Sequence, residues 1–118
     1  MPSAGTLNTG VFSGCSSLTV AIFSKLAGNY ALGGTAFAFC SNLSTLVLGS
    51  TDLVPMRYTS TFNYSSLASG GSGCTIYVPG NLIDSYKAAS NWKTYDGYGT
   101  ITWTAIEGSP YEQYKQTT

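Results

Sequence analysis

Apolar positions alternate with polar or small ones in three short stretches of this chain. Leu18, Val20 and Ile22 alternate with Thr19 and Ala21. Leu46 and Leu48 alternate with Thr45 and Val47, and Ile76 and Val78 alternate with Thr75 and Tyr77. A period of two marks a half-buried strand. The pattern predicts Val20, Ile22, Leu46, Leu48, Ile76 and Val78 pointing inward, with Thr19, Ala21, Thr45, Val47, Thr75 and Tyr77 pointing outward. Pro79 ends the third stretch, because proline has no N–H to donate to a ladder. Beyond it the spacing changes. Leu82, Ile83, Tyr86 and Ala89 recur at helical intervals behind Asn81, which reads as an N-cap with Asp84 at the third helical position. One short helix is predicted over about residues 82–90. Ile101, Trp103 and Ala105 alternate again and predict a last short strand.

These elements sit inside a repeat. F-S-G-C-S-S-L at Phe12–Leu18 returns as F-A-F-C-S-N-L at Phe37–Leu43, so that Phe, Cys, Ser and Leu recur 25 residues apart. A weaker copy, F-N-Y-S-S-L, begins at Phe62 and has Ser65 in place of the cysteine. Self-similarity at such a period predicts stacked coils. The predicted fold is a short leucine-rich-repeat solenoid of about three β-coils with a C-terminal helix-plus-strand cap, mainly β with one short helix. Its parts are an N-terminal extension at 1–10, repeats at 11–79, a cap at 80–106 and a polar, loose tail at 107–118. Turn signals at Gly28-Asn29 and Gly33-Gly34 mark the first return leg. The step from Leu18 to Val20 is one residue shorter than that from Leu43 to Leu46. A one-residue slip flips faces, so a local adjustment is expected before Val20.

The phrase F-x-G-C-x-x-L-x-x-(L/V)-x-(I/L) resembles the BspA-type bacterial leucine-rich repeat. Ile76-Tyr-Val-Pro-Gly-Asn-Leu-Ile-Asp-Ser-Tyr-Lys-Ala-Ala-Ser-Asn-Trp92 is similar to the C-terminal cap common in that family. The resemblance covers roughly residues 11–106. It implies non-enzymatic recognition or adhesion, on bacterial surfaces or in proteins of phages and prophages.

Composition narrows the chemistry. The chain has 118 residues, five basic and five acidic, and only 8% charged residues against 43% hydrophobic ones. Net neutrality argues against nucleic acid as a partner, and weak self-repulsion favours association. Met1–Asn8 lacks a basic leader, and the run Leu18–Phe23 is too short to span a bilayer. The expectation is a protein used without export through a signal peptide, or a piece of a longer one, with no membrane insertion. There is no histidine, which removes imidazole bases and most zinc sites. Asp52, Asp84, Asp96, Glu107 and Glu112 show no calcium-loop spacing. Tyr111-Glu-Gln-Tyr-Lys115 has a dehydrogenase-like spacing without the dinucleotide fingerprint that would give it meaning. No catalytic residue, metal site or cofactor is expected, and the chain is read as not an enzyme.

Three cysteines, Cys15, Cys40 and Cys74, leave an odd thiol. Cys15 and Cys40 share a repeat position, so they form either a ladder of small buried thiols or a bridge. The aromatic cluster Tyr77, Tyr86, Trp92, Tyr95, Tyr98 and Trp103 is either a cap core or a sugar-stacking surface.

The outward columns Thr19, Ala21, Thr45, Val47, Thr75 and Tyr77 are the predicted partner-binding residues. The N-terminal edge, with only ten small residues before it, is expected to be covered by protein: a second copy, another chain of a virion or surface, or an upstream domain. A host-surface protein or glycan is the further partner expected. The function expected is a phage virion-associated module (tail, fibre or head decoration) for assembly or attachment, placed in the virion. The alternative is a fragment of a bacterial surface adhesin, placed at the cell surface.

Overall fold

Residues 25 apart in sequence pair between the first two strands of the computed structural model, which describes residues 10–26 and 32–116. Four strands, β1 (Val20–Phe23), β2 (Thr45–Leu48), β3 (Cys74–Val78) and β4 (Ile101–Ala105), form one sheet in the order β1-β2-β3-β4. All three pairings are parallel. The turns that precede the strands also pair. Phe12 N–H donates to Ala36 C=O and Phe37 N–H to Thr61 C=O, both at 2.8 Å.

The predicted leucine-rich-repeat solenoid with a single helix is corrected by this architecture. The described residues form one four-stranded all-parallel sheet with two helices, in a body of 33 × 28 × 26 Å. Three inter-strand steps of about 4.8 Å advance the chain only about 14 Å, less than the body is wide. The segment expected to cap a stack contributes β4 to the same sheet instead. It also holds two helices, α1 (Ile83–Ala88) and α2 (Trp92–Asp96), where one was expected. Asn81 is not an N-cap. It lies in a 3-10 turn, Gly80–Leu82, closed by Leu82 N–H donating to Pro79 C=O at 2.8 Å.

The inner face of the sheet carries two rows. Ala21, Leu46, Ile76 and Trp103 lie opposite one another, and in the next row Phe23 pairs with Leu48 and Val78 with Ala105. Behind them stand the repeated phenylalanines. Phe12 and Phe37 stack at 5.3 Å between ring centroids, and Phe37 and Phe62 at 5.3 Å with planes 8° apart. Trp92 continues the row against Phe62 at 5.9 Å. Leu43, Leu67, Phe37, Phe62, Tyr86 and Trp92 are all fully buried.

Half of the aromatic cluster of the second half is core, whereas Tyr98 is exposed and Tyr77 lies on the other face of the sheet. Tyr86, Trp92 and Tyr95 are buried, and their polar tips reach back to one strip of chain. Tyr86 Oη accepts from Val54 N–H at 2.9 Å, and Trp92 Nε1 donates to Val54 C=O at 2.7 Å. Tyr95 Oη donates to Thr59 C=O, and Asn91 Nδ2 donates to Met56 C=O at 2.7 Å. An irregular segment has no ladder of its own, so its buried amides need these side-chain partners.

All three thiols are free. Cys40 Sγ donates to Phe12 C=O at 3.1 Å. Burial pushes the Cys40 thiol up, with smaller contributions from Cys15, and pushes Cys74 up to about 12. The turn expected at Gly28-Asn29 and most of the extension at 1–10 lie outside the described residues.

Candidate functional site

The outer face of the sheet is where the partner-binding residues were expected, and its columns are set by register. One column runs Val20, Thr45, Thr75, Thr102; the next runs Ile22, Val47, Tyr77, Thr104. Four of the six expected residues, Thr45, Val47, Thr75 and Tyr77, take their places there. Ala21 does not: it is 4% exposed and lies beside Leu46 on the inner face. Thr19 precedes β1, where its C=O accepts from Ser44 and Thr45 N–H. The inward assignment of Val20 and Ile22 is corrected in the same way, with Ala21 and Phe23 taking their place. No adjustment occurs before Val20, because the 25-residue pairing runs unbroken from Val20–Thr45 to Phe23–Leu48.

The tail covers one of the two columns. Tyr111 packs on Tyr77 at 4.9 Å between ring centroids. Gln116 N–H donates to Gly49 C=O at 2.8 Å, and Gln116 Oε1 accepts from Thr51 N–H at 3.0 Å. Lys115 Nζ meets Glu107 Oε2 at 2.7 Å, and Gly80 N–H donates to Glu107 Oε1 at 2.9 Å. Lys115 and the Gly80 amide hold the Glu107 carboxyl below the ordinary range. The expected loose tail is thus a strap, and Val47 beneath it is fully buried. Parallel sheets are characteristically covered on both faces; here ten residues of tail supply part of the second cover.

The other column stays open. Thr75 and Thr102 border a trough of about 440 Å³ at the N-terminal ends of β2–β4. Ser44, Ser72 and Thr100 add hydroxyls, and Gly71, Gly73 and Gly99 leave the walls low. Gly71 has no room for a side chain, since a Cβ there would overlap the Ser66 carbonyl. A second trough of about 350 Å³ adjoins it, sharing Gly71 and Ser72 and running past Ser69 and Ser41 to Tyr64. Every described residue lining the two is uncharged.

Tyr64 belongs to a pair that sequence reasoning missed. Its ring stacks on Phe39 at 5.0 Å with planes 19° apart, and the two are 71% and 55% exposed. Both occupy the left-handed backbone region, Phe39 at φ 64° and Tyr64 at φ 56°. Gly14, at the equivalent place in the first repeat, has φ 78° and nothing near its Cβ direction. The turn thus demands a residue that glycine satisfies freely, and bulky aromatics stand there at a cost on the order of 1 kcal/mol each. The signal was present in the sequence as the series 14, 39, 64 reading Gly, Phe, Tyr.

Among the described residues no cluster of His, Cys, Asp or Glu could hold a metal, and no helix is long and apolar enough to cross a membrane. Comparison with protein-family models, with curated protein sequences and with solved structures finds no match to this chain.

Proposed function

We propose that this chain is a non-enzymatic interaction module whose contact surface is the open threonine column and the double trough beside it. The observation that carries this reading is the trough itself. It is concave, preformed by sheet and turns, and lined by hydroxyls and glycines with an exposed aromatic pair at one end. Its lining offers hydrogen bonds and stacking but no acid–base pair within reach of a nucleophile, so it suits holding a partner rather than transforming one. Strand-borne side chains in fixed register make such a surface rigid, and rigidity lowers the entropic cost of binding.

The setting we propose is a virion, with the module serving in assembly or attachment to a host surface. Low charge supports this, because chains with little self-repulsion pack together readily. Two measurements test it. Proteomic analysis of purified particles should find the chain as a stoichiometric component. Fluorescently labelled protein should bind intact bacterial cells, and Thr75→Lys with Thr102→Lys should remove that binding by filling the trough. Cell binding unchanged by the two lysines would overturn the assignment of the surface.

A further inference from the structure

We infer that the double trough takes a neutral oligosaccharide, with a sugar ring lying on the aromatic pair Phe39–Tyr64. The inference rests on the interaction-module reading and names the ligand class for its site.

Three properties of the surface select this class. The first is the exposed aromatic stack. A pyranose presents a face of C–H groups that packs on an aromatic ring, while its hydroxyls remain free to bond elsewhere. Tyr64 borders the second trough, so a ring seated against it would have Ser41, Ser69 and Ser72 within the same concavity. The side of Phe39 toward the first repeat is also open, because Gly14 stands where a third aromatic would otherwise lie. The second property is the lining. Hydroxyl groups both donate and accept, as sugar hydroxyls do. Ser44 and Thr100 already bond backbone carbonyls, Thr19 C=O and Leu67 C=O, and so are held in place. Thr75 and Thr102 point from the outer face of the sheet, where register aligns them side by side.

The third property is the absence of charge from the lining, which favours a neutral ligand over phosphates or sialylated chains. Anionic ligands would call for Arg or Lys forks. A protein segment fits less well, because the trough lacks an apolar anchor pocket of the kind that carries most protein contacts. The troughs adjoin through Gly71 and Ser72, so the surface is an extended track rather than a socket. That shape suits several linked sugars over a monosaccharide.

Backbone geometry supplies an independent argument. Phe39 and Tyr64 are exposed, so burial does not repay their left-handed conformations, and a simple turn would use glycine as Gly14 does. Bulky residues at strained, exposed positions point to a contact role.

The test uses the whole chain and defined probes. Maltohexaose, cellohexaose, chitohexaose and mannohexaose are titrated against ¹⁵N-labelled protein and followed by NMR. At least one is expected to shift the amides of Tyr64, Ser72, Thr75 and Thr102 together. Tyr64→Gly should weaken that probe about tenfold or more while leaving the melting temperature equal or higher, since it removes both the stacking ring and the strain. Tyr64→Phe should retain most of the affinity. No shift with any of the four neutral probes, or binding unaffected by Tyr64→Gly, overturns the proposal. Intact cells keep the two readings apart. Cell binding that survives periodate oxidation of surface sugars overturns the saccharide and leaves the interaction module standing. Loss of binding after periodate supports both, and no binding to untreated cells or particles overturns the module itself.

Discussion

The ring of Tyr111 rests on that of Tyr77, 4.9 Å between centroids, and so ties the end of the chain to the outer face of the sheet. Two residues 34 apart in sequence thereby decide which part of that face is free. Val47 and Tyr77 serve as the floor for the tail, whereas Thr45, Thr75 and Thr102 stay open to solvent or a partner.

Gly49 makes this strap possible, because a Cβ there would overlap the Tyr114 carbonyl. Gly49→Ala is expected to lift residues 109–116 while the sheet stays folded, at a cost of about 1–2 kcal/mol. Hydrogen exchange with mass spectrometry should show faster exchange at Tyr114, Lys115 and Gln116, with the β2–β3 ladder unchanged. An unaltered exchange pattern would count against the strap.

Tyr86→Phe removes the oxygen that accepts from Val54 N–H in the interior. The amide then has no partner and no access to water. The expected loss is about 1–3 kcal/mol, the penalty for one buried donor left unsatisfied. Urea unfolding with an unchanged m-value would measure it. Phe37→Ala should cost more, about 3–5 kcal/mol, because it opens a cavity in the middle of the phenylalanine row.

Alkaline pH should destabilise the fold. Cys74 rises from 9.0 to about 12 and Tyr86 from 10.0 to about 12, both chiefly through burial. Each group is neutral when protonated. Below pH 9 both states of the protein hold these protons, and the stability is complete. Between about pH 9 and 12 the unfolded chain releases them while the folded chain does not, so stability falls as pH rises. The slope is up to about 1.4 kcal/mol per pH unit for each group. Thermal melts from pH 8 to 11 should show the decline, and Cys74→Ala should make it shallower. A flat profile over that range would contradict the burial of both groups.

The face of β1 can be tested directly. Val20 is 39% exposed and Ala21 4%. Val20→Lys is expected to change stability by no more than about 0.5 kcal/mol. Ala21→Asp should cost several times that, because it places a charge beside Leu46 without a counter-ion. Equal effects at the two positions would restore the opposite face.

Much of the core was legible along the chain. Phe12, Phe37 and Phe62 recur at the 25-residue interval, and the structure stacks their rings in one buried row. The alternation in Leu46–Leu48 and Ile76–Val78 identified residues of the inner face, although Val47 between the leucines is buried as well, beneath the tail. Pro79 marked the end of β3. The candidate site was legible only in part. Thr45 and Thr75 stand on the expected face, whereas Phe39 and Tyr64 carry no periodic signal, because they fall at the position where the repeated phrase changes from Gly14.

Local pattern by itself determined the 25-residue spacing, the apolar rows and the uncharged chemistry of the surface, because these follow from which residues stand at which interval. Only the tertiary structure decided the face of β1. Val20, Ala21, Ile22 and Phe23 are all apolar, so either parity could have been buried, and pairing with Thr45–Leu48 settled it. Only the tertiary structure joined β4 to the sheet, added a second helix at Trp92–Asp96 beyond the expected one and folded the tail across Val47 and Tyr77. Those outcomes depend on contacts between distant residues, such as Tyr111 with Tyr77 and Val54 with Tyr86 and Trp92, whose energies no local window contains.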